Sequence, residues 1–228
     1  FTTANWNVAQ TVTVTGVSDA DATNETVTIS HAIAGNDYAA VTSADVTATV
    51  TDNDTVGVTN SSTTTTLGEA STGTYTVVLN TQPTGSVTIT PASADTGAAT
   101  VSAAMTFTTA NWDTPQTVTV TGVADADATD ESVTISHAIA GNDYAAVTSA
   151  NVTATVTDDD TVGVTHSKTA ITLGEASTGT YTVVLNTKPT GNVTITPASA
   201  DTGAATVSGV MTFTTANWDT PQTVTVTG

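Results

Sequence analysis

Asp158, Asp159 and Asp160 stand in a row inside "TVTDDDTVGVT" (155–165), and the same segment recurs as "TVTDNDTVGVT" (49–59). Clustered carboxylates can do acid–base catalysis, ligate a metal, or simply be solvated. A glycosidase-type site needs one acid held neutral in an apolar pocket, and no aromatic lining accompanies these acids. Metal ligation needs several oxygens gathered at one point without competing cations. The chain holds 21 acidic residues against two basic ones, Lys168 and Lys188, for a net charge of −19. Residues 55–160 contain no Lys or Arg, so nothing among them can pair with their acids.

The elements that would gather those acids are strands. "TYTVVLN" (74–80), "QTVTVTGV" (116–123) and "SVTISHAI" (132–139) alternate apolar residues with Thr or Ser, the period of a half-buried strand. Further strands are expected at 63–67, 86–93, 100–107 and 151–158, with turn chemistry between them ("GEASTG", "TQPTG", "SADTGAA", "TANWDTP", "DADATDE", "AGNDYAAVTSA"). No segment has a helical period. The fold class is therefore all-β, as tandem immunoglobulin-like antiparallel β-sandwiches of about seven strands each.

"FTTANW" begins at Phe1, Phe107 and Phe213, which sets a period of 106 residues. Residues 1–54 are identical to 107–160 at 46 of 54 positions, and 55–122 to 161–228 at 60 of 68. Residues 1–54 read as the C-terminal half of one repeat, 55–160 as a complete repeat, and 161–228 as the N-terminal part of a third. Opening in mid-motif, the chain is expected to be a window of a longer array. A strand-swapped polymer, in which neighbouring chains complete each other, is the less favoured alternative.

Antiparallel neighbours reverse at each turn, so alternate loops fall at one end of a sandwich. By that parity, Glu69, Asp95, Asp125, Asp127, Asp130, Glu131, Asp158, Asp159 and Asp160 converge on one pole, while Asp113 and Asp143 lie at the base. The flanking half-repeats supply the matching set Asp19, Asp21, Glu25, Asp52, Asp54, Glu175 and Asp201. Carboxylates packed at one end repel one another by several kcal/mol in total, even at an effective dielectric of ~20. They must be solvated apart or bridged by cations. Hard oxygen donors favour Ca²⁺, roughly two to four ions per pole when waters and carbonyls are counted.

The string "LGEASTGTYTVVLNTQPTGSVTITPASAD…MTFTTANWDTPQTVTVTGVADADATDESVTI…VTATVTDDD" resembles a Calx-β domain, and more closely the Calx-β-type repeats of very large bacterial surface and adhesin proteins. The resemblance covers the whole repeat. It implies calcium ligation at the distal end by Glu69, Asp95, Glu131 and Asp158–Asp160. Two departures stand out. The family's adjacent acid pair is here Asp125-Ala-Asp127, and its "GSDY"-like segment corresponds to "GNDY" (141–144), after the sixth strand.

Asp160 runs directly into Thr161 and the next "VGVT" with no linker, so the three aspartates are expected to act as a hinge that metal locks. The functional expectation is a calcium-stiffened structural repeat of a long extracellular bacterial surface protein, adhesin extender or filament. It is not expected to be an enzyme. Its expected partners are neighbouring repeats of the same chain, with filament self-assembly beside them. The strong negative charge disfavours nucleic acid and anionic membranes, and no apolar run is long enough to insert in one. The alternative is a glycan- or partner-binding module using the loops that bear Trp6, Trp112 and Trp218, although a Trp capping the core is the simpler reading. His31 and His137 share the apolar parity of their strands and are expected to be hydrogen-bonded and mostly buried. Cysteine is absent, which removes disulfide and thiolate chemistry. The 60 threonines are explained first by β-branching.

Overall fold

A computed structural model describes residues 1–228. The regular structure is nearly all strand, broken only by two single 3-10 turns at Asn36–Tyr38 and Asn142–Tyr144, and no helix is long and apolar enough to cross a membrane. In the first half-unit, β1 (Glu25–Ile29) and β2 (Val46–Val50) pair only with each other. The complete unit contributes β3 (Val58–Asn60), β4 (Thr64–Gly68), β5 (Thr72–Leu79), β6 (Val87–Ser93) and β7 (Ala99–Val101). It continues with β8 (Met105–Phe107), β9 (Gln116–Gly122), β10 (Glu131–Ala140) and β11 (Val152–Thr157). These form a five-stranded sheet in the order β4-β11-β10-β6-β8 and a four-stranded sheet in the order β3-β5-β9-β7.

The alternating residues do what their period requires. Tyr75, Val77 and Leu79 on β5, Val118 and Val120 on β9, and Val133 and Ile135 on β10 all face inward, and the intervening Thr and Ser face outward or lie at the margin. The core holds 18 buried residues, with Ile89, Phe107, Ile135 and Tyr144 among its fully enclosed members. Each large apolar side chain so buried contributes about 1.5–3 kcal/mol. That burial suffices to close the sandwich without a disulfide.

The observed strands differ from the expected seven in three ways. The stretch 100–107 is two short strands on different sheets, β7 pairing β9 and β8 pairing β6. The chain crosses between sheets at 102–104 without reversing, so the loop parity survives the split. The short strand β3 was not legible as a strand. Finally, β4 pairs β11 in parallel rather than antiparallel fashion, because β4 and β11 both run toward the acidic end.

The third half-unit comprises β12 (Val164–His166), β13 (Thr178–Leu185), β14 (Val193–Ile195), β15 (Thr206–Val207), β16 (Met211–Phe213) and β17 (Gln222–Thr227). Its sheets are β12-β13-β17-β15 and β14-β16. Only five residues form its buried cluster, since the counterparts of β10 and β11 are missing from it.

Candidate metal centre

Glu69 is placed by backbone before its side chain acts. Its N–H donates to Thr157 O at 3.1 Å, which seats it beside Asp158 at the end of β11. Ala70, the next residue, has φ 51, a left-handed conformation that sharpens the turn into β5. Gly122 closes the floor: a Cβ there would lie 2.7 Å from Gly68 O, so a side chain at this position would push the β4 end away. Glu69 is 8% exposed, and Asp125 N–H donates to its Oε1 at 3.1 Å.

Asp125, Asp127 and Glu131 come from the loop between β9 and β10. Asp127 N–H donates to Asp125 Oδ1 at 2.8 Å, and Asp160 N–H to Asp158 Oδ1 at 2.6 Å. These are Asx turns, each using one carboxylate oxygen to shape its loop. Asp158 N–H in turn donates to Asp130 Oδ1 at 2.9 Å.

Two groups of carboxylate oxygens result, each with its atoms within 4.8 Å of one another: Glu69, Asp125 and Glu131, and Asp125, Asp127 and Asp158. Asp125 belongs to both. Asp127 Oδ1, Glu131 Oε2 and Asp158 Oδ2 are enclosed yet have no hydrogen-bond partner. A buried anionic oxygen with neither donor nor counter-charge is costly, and residues 55–160 contain no Lys or Arg to relieve it. Burial, reinforced by Asp158, Asp125 and Asp159, pushes the Glu69 carboxyl above the usual carboxylate range, against the opposing pull of the Asp125 N–H. Burial does the same to Glu131, with Asp125, Asp127, Glu69 and Asp158 adding repulsion.

The first half-unit repeats the arrangement with Asp19, Asp21, Glu25 and Asp52 within 4.8 Å. There Asp21 N–H donates to Asp19 Oδ1, Asp54 N–H to Asp52 Oδ1, and Asp52 N–H to Asn24 Oδ1. Asn24 does for its loop what Asp130 does in the complete unit, so this position needs an acceptor and not a charge.

Other expected ligands lie outside both groups. Asp95 turns its Oδ1 back on Gly97 N–H at 2.8 Å, and Asp201 does the same to Gly203 N–H at 2.9 Å. Asp159, Asp160 and Asp54 are exposed or marginal continuations of the loops. Glu175 is exposed, because the half-unit holding it lacks the loop that would face it. All the gathered donors are carboxylate oxygens, the donor set that suits Ca²⁺ and not a soft metal.

The residues missed by sequence reading act through their main chain. Gln82 N–H donates to Ala20 O at 2.7 Å, and Lys188 N–H donates to Ala126 O at 2.7 Å. Ala20 sits between Asp19 and Asp21, and Ala126 between Asp125 and Asp127. Each acidic loop thus seats the "TQPTG" or "TKPTG" base loop of the following unit. A backbone contact leaves no residue-type signature, and the donor is Gln in one copy and Lys in the other.

At the base, Tyr144 OH donates to Thr81 O at 2.8 Å and receives Thr81 N–H at 3.1 Å. Trp112 and Trp218 pack against their cores, as core-capping residues do, whereas Trp6 is 71% exposed. His137 is half-buried with Nε2 2.7 Å from Tyr75 OH, and burial lowers its pKa. His31 is exposed, because residues 1–54 include no counterpart of Tyr75.

No protein-family model matches this sequence, and no curated protein matches it. Among solved structures it is similar to domains 4 and 5 of the S-layer protein SbsC, at 24% identity and TM-score 0.31, covering 50% of this chain and 58% of that one. It is also similar to SbsC domains 4–9, at 19% identity and TM-score 0.33, covering 80% and 28%. A third similar structure is a chaperone–tip adhesin complex of CFA/I fimbriae, at 8% identity and TM-score 0.35, covering 69% and 81%. The chain spans somewhat over half the length of the first of these structures.

Proposed function

We propose that these repeats are calcium-stiffened spacers of a long extracellular surface protein, such as an adhesin extender or filament, with a structural and not a catalytic role. The reading is supported above all by one coincidence: the loop that gathers the unpartnered carboxylates is also the loop that seats the next unit. Ala126 O accepts from Lys188 N–H, while its neighbours Asp125 and Asp127 supply oxygens to the acidic groups. The same pairing at Ala20 and Gln82 repeats it at a second junction.

Glu69, Asp125, Asp127, Glu131 and Asp158 would hold the ions, a set that overlaps the Calx-β-like ligands at Glu69, Glu131 and Asp158. Bound calcium supplies positive charge and flexible oxygen coordination. The chain's own residues do the rest. Glu69 and Asp158 are tied to β4 and β11, so fixing Asp125 against them fixes the 124–130 loop to both sheets. The base loop of the next unit then inherits that orientation through Ala126. With the carboxylates uncompensated, repulsion loosens the loop and the junction with it. Sites with the ~10⁻⁴–10⁻³ M affinity of extracellular calcium modules fill where calcium is millimolar, which is outside the cell. Because the ligands come from separate loops, binding energy becomes folding energy.

Calorimetric titration of the full chain with calcium chloride tests this reading. Uptake is expected in that affinity range, weaker with magnesium, and strongly reduced by Asp125→Asn, which removes a charge from both groups. No uptake at millimolar calcium would overturn it.

A further inference from the structure

The complete unit meets the preceding one at its base, through Gln82, and the following one at its acidic pole, through Ala126. A pull between its neighbours therefore runs along its strands. The entering segment makes β3 and β4, and the leaving segment is β11. β4 and β11 are neighbours in one sheet and run in parallel, with Thr64 opposite Thr153, Thr66 opposite Thr155 and Gly68 opposite Thr157. At one end of the pair Thr153 N–H donates to Thr63 O at 2.9 Å, and at the other Glu69 N–H donates to Thr157 O at 3.1 Å. Tension draws β4 toward the base and β11 toward the pole. Were the two strands antiparallel, their free ends would lie at the same pole, and a pull would open the ladder one bond at a time. In the parallel pair the evenly spaced bonds are loaded together.

The neighbouring pairings repeat the geometry. β3 lies along β5, with Val58 opposite Leu79 and Asn60 opposite Val77, and β11 is flanked on its other side by β10. Both are drawn lengthwise as well. Where the chain passes from β3 to β4 it is fastened to both sheets. Ser61 N–H donates to Thr76 O and Thr76 N–H to Ser61 Oγ, each at 2.8 Å, while Asn60 Nδ2 donates to Ala150 O at 2.8 Å. Sliding meets a second resistance in the core. Leu67 and Val156 lie opposite each other and are both buried, and a slip of one residue turns a strand's inward side chains to the outer face.

We infer that the complete unit is a tension-bearing module, with the β4–β11 pair as the shear clamp that keeps it folded when its neighbours are pulled apart. The clamp consists of backbone bonds and core side chains, so it does not depend on an ion at the acidic pole. It adds resistance to extension to the spacer role proposed above.

Single-molecule pulling of the full chain in chelator tests the inference, with handles on introduced cysteines, since the chain has none of its own. Thr55→Cys with Thr161→Cys, both exposed sites, pulls the unit from base and pole and shears the clamp. Ser71→Cys with Thr161→Cys places both handles at the pole and opens the pair from that end. The half-units lie outside both load paths. The expected unfolding force is several-fold higher in the first geometry, where the chain between the handles then extends to roughly 350–380 Å. Thr65→Pro removes an N–H that the alternation of the ladder directs at β11, whereas the Thr66 N–H faces the open edge of the sheet. Thr65→Pro should lower the shear force and Thr66→Pro leave it unchanged. Equal forces in the two geometries would overturn the inference, as would equal effects of the two proline variants. If Thr65→Pro does not fold, the two geometries decide alone. Because no calcium is present, neither outcome bears on the metal reading.

Discussion

Glu69→Gln exchanges one carboxylate oxygen for an amide nitrogen, and the size of its effect should depend on whether calcium is in the buffer. Gln keeps the shape and the Oε1 acceptor for Asp125 N–H. It removes a charge whose oxygens lie within 4.8 Å of those of Asp125 and Glu131. Each pair at that distance costs about 0.9 kcal/mol with water-like screening and about 3.5 kcal/mol at an effective dielectric of ~20. Asp125 is exposed and Glu131 half-buried, which puts the estimate near the lower bound. In chelator, two relieved pairs then stabilise the complete unit by about 2 kcal/mol, or roughly 8 °C in Tm for a unit of this size. At about 10 mM calcium an ion held at ~10⁻⁴–10⁻³ M contributes about 1.4–2.7 kcal/mol, and the variant forfeits much of it. The variant's advantage of about 2 kcal/mol in chelator should therefore shrink by up to about 1.4–2.7 kcal/mol in calcium, bringing the two melting points close together. A variant advantage as large in calcium as in chelator would refute the reasoning.

Acidification offers a second test. Glu69 and Glu131 have folded-state values raised above 4.5, so as pH falls from neutrality the folded state binds protons before the unfolded state does. The calcium-free unit should gain stability down to about the unfolded value and then level off, while calcium affinity weakens over the same window. Melts in chelator and titrations across that range check both trends. Phe107→Ala should cost about 3–5 kcal/mol through a cavity in a fully closed core, equally with and without calcium, as read by urea unfolding. Tyr144→Phe strips the hydroxyl from Thr81 N–H and O and should cost about 1–3 kcal/mol. Calorimetry should show its calcium uptake unchanged, since Tyr144 lies at the base.

Much of the fold was legible because the alternation in "TYTVVLN" and "SVTISHAI" leaves one face for the core, and because near-identical repeats fix the period at 106 residues. The sheet switch at 102–104 was not legible, since "ATVSAAMTF" reads as one strand when its two ends happen to alternate in step. The parallel β4–β11 pair depends on which distant strands become neighbours, and local pattern carries no record of that. At the acidic pole, loop parity brought Glu69, Asp125, Asp127, Glu131 and Asp158 together. It could not say that Asp95 would lie outside the gathered oxygens, or that Asp130 would be an acceptor replaceable by Asn24. The contacts of Ala20 and Ala126 were invisible because a main-chain carbonyl has no residue identity.

The junction itself can be measured in the same molecule. The chain has no cysteine, so spin labels at Thr117→Cys and Thr223→Cys, matching exposed sites on successive units, report one distance across the Asp125–Asp127 loop. A broad distance distribution in chelator that collapses to a narrow one in calcium, and stays broad in Asp125→Asn, is the result a metal-locked junction predicts. Equal widths in calcium and chelator would contradict it.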